Sequence, residues 1–206
     1  MWTCHSYRFP MRRLISPACY STTPSSAIPG GPHRLHAVHY APKSLDIPVA
    51  PPVVILHGVL GSSAHWKPAA GALAEAGHPV MTLDLRNHGK SPWSSHMSLA
   101  ALADDVVYTL RQAWDDPSHP HWTPDMPAHL IGHSLGGKVA MHAAGRMQPA
   151  STIIVDISPD AYTPDRPAWQ EVMSLTRAAA ALNLAELKSR SAAKDALVRL
   201  GVVCGR

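Results

Sequence analysis

The chain has 206 residues, 46% hydrophobic and 16% charged, with a formal charge of +4. That length holds one domain with a sizeable core, and the composition excludes a disordered, collagenous or membrane-embedded polypeptide. Residues 1–32 carry Arg8, Arg12 and Arg13 but no acidic residue, so residues 33–206 keep 15 basic against 14 acidic side chains and give no support to nucleic-acid binding.

Taken in chain order, residues 1–32 form a segment apart. Arginine without acid, followed by Ser21-Thr22-Thr23-Pro24-Ser25-Ser26, is the composition of a mitochondrial transit peptide and points to the matrix. An unaddressed tail on a cytoplasmic protein is the alternative. The segment lacks the apolar run of a secretory signal. Cys4 and Cys19 lie within it, leaving Cys204 alone, so neither a disulfide framework nor a zinc-thiolate site is expected. The longest uncharged stretch, near 47–66, holds Pro48, Pro51, Pro52, Gly58 and Gly61. That many breakers exclude an integral membrane helix.

From residue 33 onward, strand and helix patterns alternate. A marginal strand covers His36–Tyr40, and the continuous run Val53–Leu56 predicts a strand buried on both faces. A short helix over Pro68–Gly77 places Ala69, Leu73 and Ala76 on one side and stops at the glycine. Val80–Asp84 is the next strand. Ser98 caps a helix to about Trp114, with Leu99, Leu102, Val106 and Leu110 at helical spacing; Asp104 and Asp105 on it are expected to be solvated. The proline-rich loop 115–127 leads to a strand at Ala128–Ile131. A helix starts just after Ser134, and a further strand, Thr152–Val155, ends at Asp156. Repeated strand–helix alternation predicts an α/β domain with a mostly parallel sheet and flanking helices over 33–166. Residues 167–206 read as helical, apart from Val202-Val203.

The chemistry sits in Gly132-His133-Ser134-Leu135-Gly136, between a predicted strand and a predicted helix. A nucleophile elbow requires that context: flanking glycines let a strained turn lift the serine hydroxyl above the sheet edge. The Leu135 amide would then face the oxyanion of a tetrahedral intermediate. A second segment, His57-Gly58-Val59-Leu60-Gly61, directly follows the first apolar strand and can bring the Val59 or Leu60 amide to the same oxyanion. Asp156 ends a strand at the carboxyl edge, where open α/β sheets place their sites. It is read as the triad acid, with a helix cap or a loop ion pair to Arg86 or Lys138 as the alternative. Asp84, its rival, belongs to a loop read as structural.

Leu56-His57-Gly58-Val59-Leu60-Gly61-Ser62, Asp84-Leu85-Arg86-Asn87-His88-Gly89-Lys90-Ser91, Gly132-His133-Ser134-Leu135-Gly136-Gly137-Lys138 and Val155-Asp156-Ile157-Ser158-Pro159 resemble four consecutive motifs of one α/β-hydrolase group. That group includes the mitochondrial α/β-hydrolase domain-containing protein 11, bacterial esterases and, nearby, the yeast ethanol acetyltransferases. The resemblance implies Ser134 as nucleophile, Asp156 as acid and no cofactor. It implies ester or acyl-transfer chemistry on a small-molecule acyl substrate, with residues 167–206 as the start of a helical lid.

One member of the set is missing from its family position. The chain has 14 histidines, none after His142, whereas the family order is Ser, acid, His, with the histidine after the last strand. The sequence therefore predicts a fold incomplete at its C-terminal end. The ring of His133, beside the nucleophile, is expected to turn away from Ser134; His57 and His88 are read as structural hydrogen-bonders. Two function classes follow: a serine hydrolase or alcohol acyltransferase, and a catalytically impaired binding module that keeps the elbow without its base. His33, His36 and His39 do not read as a metal site, because strand period 2 sends His36 to the opposite face from the other two. Segment 168–200 reads as a lid helix, with a partner-binding amphipathic helix as the alternative.

Overall fold

The structure is a computed structural model, and it describes residues 5–6, 31–43, 50–161, 163 and 165–201. Most of the segment read as a transit peptide lies outside the described residues. The chain divides into two compact units, Met1–Pro159 and Asp160–Arg206.

The first unit is built on a six-stranded sheet. In chain order its strands are β1 (His5–Ser6), β2 (Ala37–Tyr40), β3 (Val53–Leu56), β4 (Val80–Leu83), β5 (His129–His133) and β6 (Ser151–Val155). Their spatial order is β1-β6-β5-β3-β4-β2. The four central strands run parallel, while the edge strands β1 and β2 pair antiparallel to β6 and β4. The helices of this unit are α1 (Lys67–Glu75), α2 (Leu99–Trp114) and α3 (Leu135–Met147).

Strand alternation sorts the core into two layers. Val53 and Ile55 of β3 join Val80, Ala70 and Ala74 in one cluster beneath α1. Val54 and Leu56, one residue out of phase, join Met81, Leu83, Leu102, Val106, Val139 and Ala140 in the larger cluster with α2 and α3. A continuous apolar strand is needed for this arrangement, because both faces of β3 are covered. Helix α2 starts where Ser98 Oγ accepts a hydrogen bond from the Ala101 amide at 3.2 Å.

The two aspartates of α2 are not solvated. Asp105 shares a helix face with Ala101, Leu102 and Thr109, all buried. Its carboxylate accepts from Arg86 Nε at 2.6 Å and Nη2 at 2.7 Å, with both side chains at 0% exposure. The His33 amide and Arg86 Nη1, which donates to the His96 carbonyl, complete the network. Asp104 pairs with Arg146 of α3. A buried ion pair persists when neighbouring donors and acceptors engage it; here both Asp105 oxygens and all three Arg86 nitrogens are hydrogen-bonded. Arg86 is thereby committed to α2 and is no partner for Asp156.

The second unit holds α4 (Pro167–Ala180), a 3-10 turn at Leu184–Glu186 and α5 (Arg190–Arg199). Proline opens α4, and Ser189 caps α5 by accepting from the Ala192 amide at 3.1 Å. Among the described residues no helix is long and apolar enough to cross a membrane.

Candidate active site

Parallel pairing sets the geometry of the site. β3, β5 and β6 lie side by side in register, with Leu56 opposite Gly132 and His133 opposite Val155. The residues that follow, His57, Ser134 and Asp156, therefore emerge together at the carboxyl edge of the sheet. This is where open α/β sheets bind ligands.

At the end of β5 the chain turns sharply into α3. Ser134 has φ +49° and ψ −114°, in a region that side-chain-bearing residues rarely occupy. Two glycines make the turn possible. A Cβ on Gly132 would strike the Gly136 carbonyl, and one on Gly136 would strike the Leu56 carbonyl. The Ser134 carbonyl accepts from the amides of Gly137 and Lys138, which leaves the serine at the head of the helix. Leu135 is the first residue of α3, and its amide is one of the orphan donors at the positive end of the helix dipole.

Beside the elbow runs the loop after β3. Gly61 N–H donates to the Gly58 carbonyl at 3.0 Å, closing a turn whose third residue, Leu60, has φ +58°. Among the described residues none of the Val59, Leu60 or Leu135 amides donates to a backbone carbonyl. A Cβ built on Gly58 would lie 3.3 Å from Ser134 Cβ, so the two loops touch at the serine. Leu60, Ser134 and Asp156, the last with φ +59°, concentrate left-handed backbone at this one edge. Strain of this kind collects at functional sites because the surrounding structure must hold it in place.

His57 anchors the first loop. The Leu85 amide donates to its Nε2 at 3.0 Å, so Nδ1 carries the proton and donates to the Gly58 carbonyl at 2.7 Å. Burial holds its pKa below the ordinary histidine value, and His88, whose ring lies 5.0 Å away, adds to the depression. With both nitrogens given to backbone, His57 is a bolt between loops. Asp84 is another: its carboxylate accepts from the Ser63 amide at 2.6 Å and the Lys90 amide at 2.9 Å. Burial opposes ionisation there, but those amides hold the carboxyl below its usual range. His88 donates from Nδ1 to the Arg86 carbonyl at 2.9 Å.

Asp156 is exposed, at the tip of β6. Its Oδ2 lies 3.8 Å from His133 Nε2, within ion-pair range but too long for a hydrogen bond. The His133 ring packs against Gly58. Its Nδ1 and Cε1 lie 2.8 and 3.2 Å from the position a Gly58 Cβ would take, the same point that Ser134 Cβ approaches. The ring fills this notch because Gly58 has no side chain there.

A cavity of about 240 Å³ near β2 is lined by Arg34, His39 and His119 among others, and by none of these site residues. Among the described residues no three His, Cys, Asp or Glu side chains converge as a metal site.

A family model described as the alpha/beta hydrolase fold matches residues 51–202. An sn-1-specific diacylglycerol lipase ABHD11 of Xenopus tropicalis is 34% identical over 161 residues, covering 72% of this chain and 47% of the relative. Esterase YbfF of Escherichia coli is 34% identical over 113 residues, covering 54% of this chain and 40% of that protein. Among solved structures, a marine microorganism esterase superimposes with a TM-score of 0.67 at 26% identity, over 82% of this chain and 59% of its own. The chain thus spans about half the length of the curated relatives it matches.

Proposed function

The chain belongs to the α/β-hydrolase family, and from that premise we propose that it is a serine hydrolase cleaving carboxylic esters or thioesters through an acyl-enzyme on Ser134. The observation that carries this reading is the backbone of Ser134, held at φ +49° and ψ −114° between β5 and α3. A serine with no chemical task gains nothing from a conformation that costs about 1–3 kcal/mol.

In this reading Ser134 Oγ attacks the acyl carbonyl carbon, and the C=O π pair moves to oxygen. The amides of Leu135 and of Val59 or Leu60 receive the developing oxyanion, supplying about 3–4 kcal/mol per donor at the transition state. Gly58, Gly132 and Gly136 let the loops close around it, His57 fixes the first loop, and Asp156 is the acid that orients the base. The intermediate collapses to acyl-serine with departure of the alcohol or thiol, and water then releases the acid. Attack by an alcohol in place of water would give acyl transfer from the same intermediate. No cofactor is called for. Residues 33–166 are the catalytic core in this proposal and 167–206 a lid-like segment. The acid-free, arginine-bearing composition of residues 1–32 supports a mitochondrial matrix address.

A fluorophosphonate probe tests the reading. The folded full chain is expected to label at one site, and Ser134→Ala to abolish labelling. Well-folded protein that does not label would overturn it and leave the non-catalytic binding module as the function.

A further inference from the structure

We propose that the cavity between β2, α2 and the loop 115–127 is a binding site for a small carboxylate with an apolar tail. The proposal is independent of the role of Ser134, because no residue of that sheet edge lines the cavity. Arg34, His39 and His119 make its polar side, and Ala37, Met81 and Ala113 belong to its apolar wall. No aspartate or glutamate lines it.

Local structure brings these groups together. Strand period puts Ala37 and His39 on one face of β2, where Ala37 packs against the larger core cluster. Tyr40, out of phase, packs against the other cluster, beneath α1. The segment before β2 is pinned to α2 at two points. The His33 amide donates to Asp105 Oδ1 at 2.6 Å, and the Leu35 amide donates to Thr109 Oγ1 at 2.9 Å. Arg34, between those two anchors, is held at the cavity. The loop supplies His119, whose ring stacks on His39 with centres 3.6 Å apart and planes within 9°. Buried Trp122 meets the edge of His39.

A cationic fork, two imidazoles and an apolar wall, with no acid among them, suit an anion that carries a hydrocarbon part. The planar guanidinium matches the two oxygens of a carboxylate. Two observations mark the polar side as short of partners. His39 Nδ1 is buried with no hydrogen-bond partner among the described residues, whereas buried polar atoms are nearly always bonded. Arg34 forms no ion pair among the described residues. Asp116 acts on both from outside the lining, and its carboxylate accepts from the Ser118 amide at 2.9 Å and hydroxyl at 2.6 Å. By itself the imidazole pair stays neutral: burial, His119 and Arg34 push His39 down to about 4, with Asp116 opposing. A carboxylate beside the ring favours its protonated form, so binding takes up a proton and tightens as pH falls. The volume, about 240 Å³, has room for a carboxylate of a few carbons. Inorganic phosphate brings no apolar part to Ala37, Met81 and Ala113, and that decides for the carboxylate.

The test is an NMR titration of the full chain with sodium butyrate, reading the imidazole resonances of His39 and His119. The comparison probes are 1-butanol, which lacks the charge, and inorganic phosphate, which lacks the tail. Butyrate is expected to shift both rings saturably and to bind about threefold or more tightly at pH 5.5 than at pH 7.5. Arg34→Gln and His39→Phe are expected to melt like the parent at pH 7.5 and to bind butyrate about tenfold more weakly. Phosphate is expected to bind about tenfold more weakly than butyrate. Any one of four results would overturn the assignment: no saturable shift, 1-butanol or phosphate binding as well as butyrate, affinity that does not rise with acid, or undiminished binding by Arg34→Gln. The readout is local to His39 and His119, so its failure leaves fluorophosphonate labelling of Ser134 a separate question.

Discussion

The Ser134 amide donates to the Val155 carbonyl at 3.0 Å, stitching the turn between β5 and α3 to the end of β6 one residue before Asp156. Two residues 22 positions apart in sequence are thereby held on adjacent strand ends. The bond continues the parallel ladder one step past His133, while the serine itself bends out of the strand.

Releasing that bend is expected to stabilise the fold and end the chemistry. Ser134→Gly removes backbone strain of about 1–3 kcal/mol against a glycine entropy cost of about 0.5–1 kcal/mol. Urea unfolding should show a gain of about 1 kcal/mol, with fluorophosphonate labelling lost. Ser134→Ala retains the strain, so it loses labelling without that gain.

Two glycines of α3 should respond in opposite directions. Gly136→Ala drives a Cβ into the Leu56 carbonyl and is expected to cost about 1–3 kcal/mol or more. Gly145 has nothing within 4 Å of its Cβ position and ordinary helical backbone. Gly145→Ala should therefore gain about 0.5–1 kcal/mol. Paired denaturation curves decide both.

Breaking the Arg86–Asp105 pair should unfold much of the domain's margin. Both side chains are fully buried, so Asp105→Asn or Arg86→Met leaves a partner unmatched, at an expected cost of about 3–5 kcal/mol. The double variant Arg86→Met with Asp105→Leu should recover a large part of that loss. A double variant no more stable than the worse single one would contradict this account.

Acid should weaken the fold from pH 6.5 downward. His39 is pushed down to about 4 by burial first, then by His119 and Arg34, with Asp116 opposing; its ring stacks on His119 at 3.6 Å, and Trp122 meets its edge. His57 is also depressed, chiefly by burial. Both take up protons more readily when unfolded, so their contribution is whole above pH 6.5 and is lost as pH falls towards 4. His39→Phe should flatten the melting temperature between pH 6.5 and 4 and keep the stack. An unchanged slope would remove His39 from this account.

Much of the fold was legible because local pattern and tertiary role agree. Val53–Leu56 is apolar at every position and lies under helices on both faces; Ser98 caps α2 as its sequence suggests. The elbow was legible for the same reason, since the spacing of Gly132 and Gly136 reflects backbone contacts that a Cβ would destroy. Asp105 misled because charge predicts solvent only when no countercharge lies inside. Its countercharge, Arg86, comes from a loop 19 residues earlier.

The sequence by itself determined that β-strands and helices alternate, that a serine sits between two glycines at a strand–helix junction, and that an acid ends a later strand. These follow from residue volume, backbone freedom and periodicity, which act over a few positions. Only the tertiary structure decided that β5 and β6 are neighbours in register, that Arg86 is spent on Asp105, and that the His133 ring packs against Gly58 with Nε2 3.8 Å from the Asp156 carboxylate. Those relations depend on strand order and on which loops meet at the sheet edge. No short-range rule encodes that; chain packing does. Three of the 14 histidines show the point: His57 bolts two loops, His39 on edge strand β2 stacks on His119, and the His133 ring packs against Gly58.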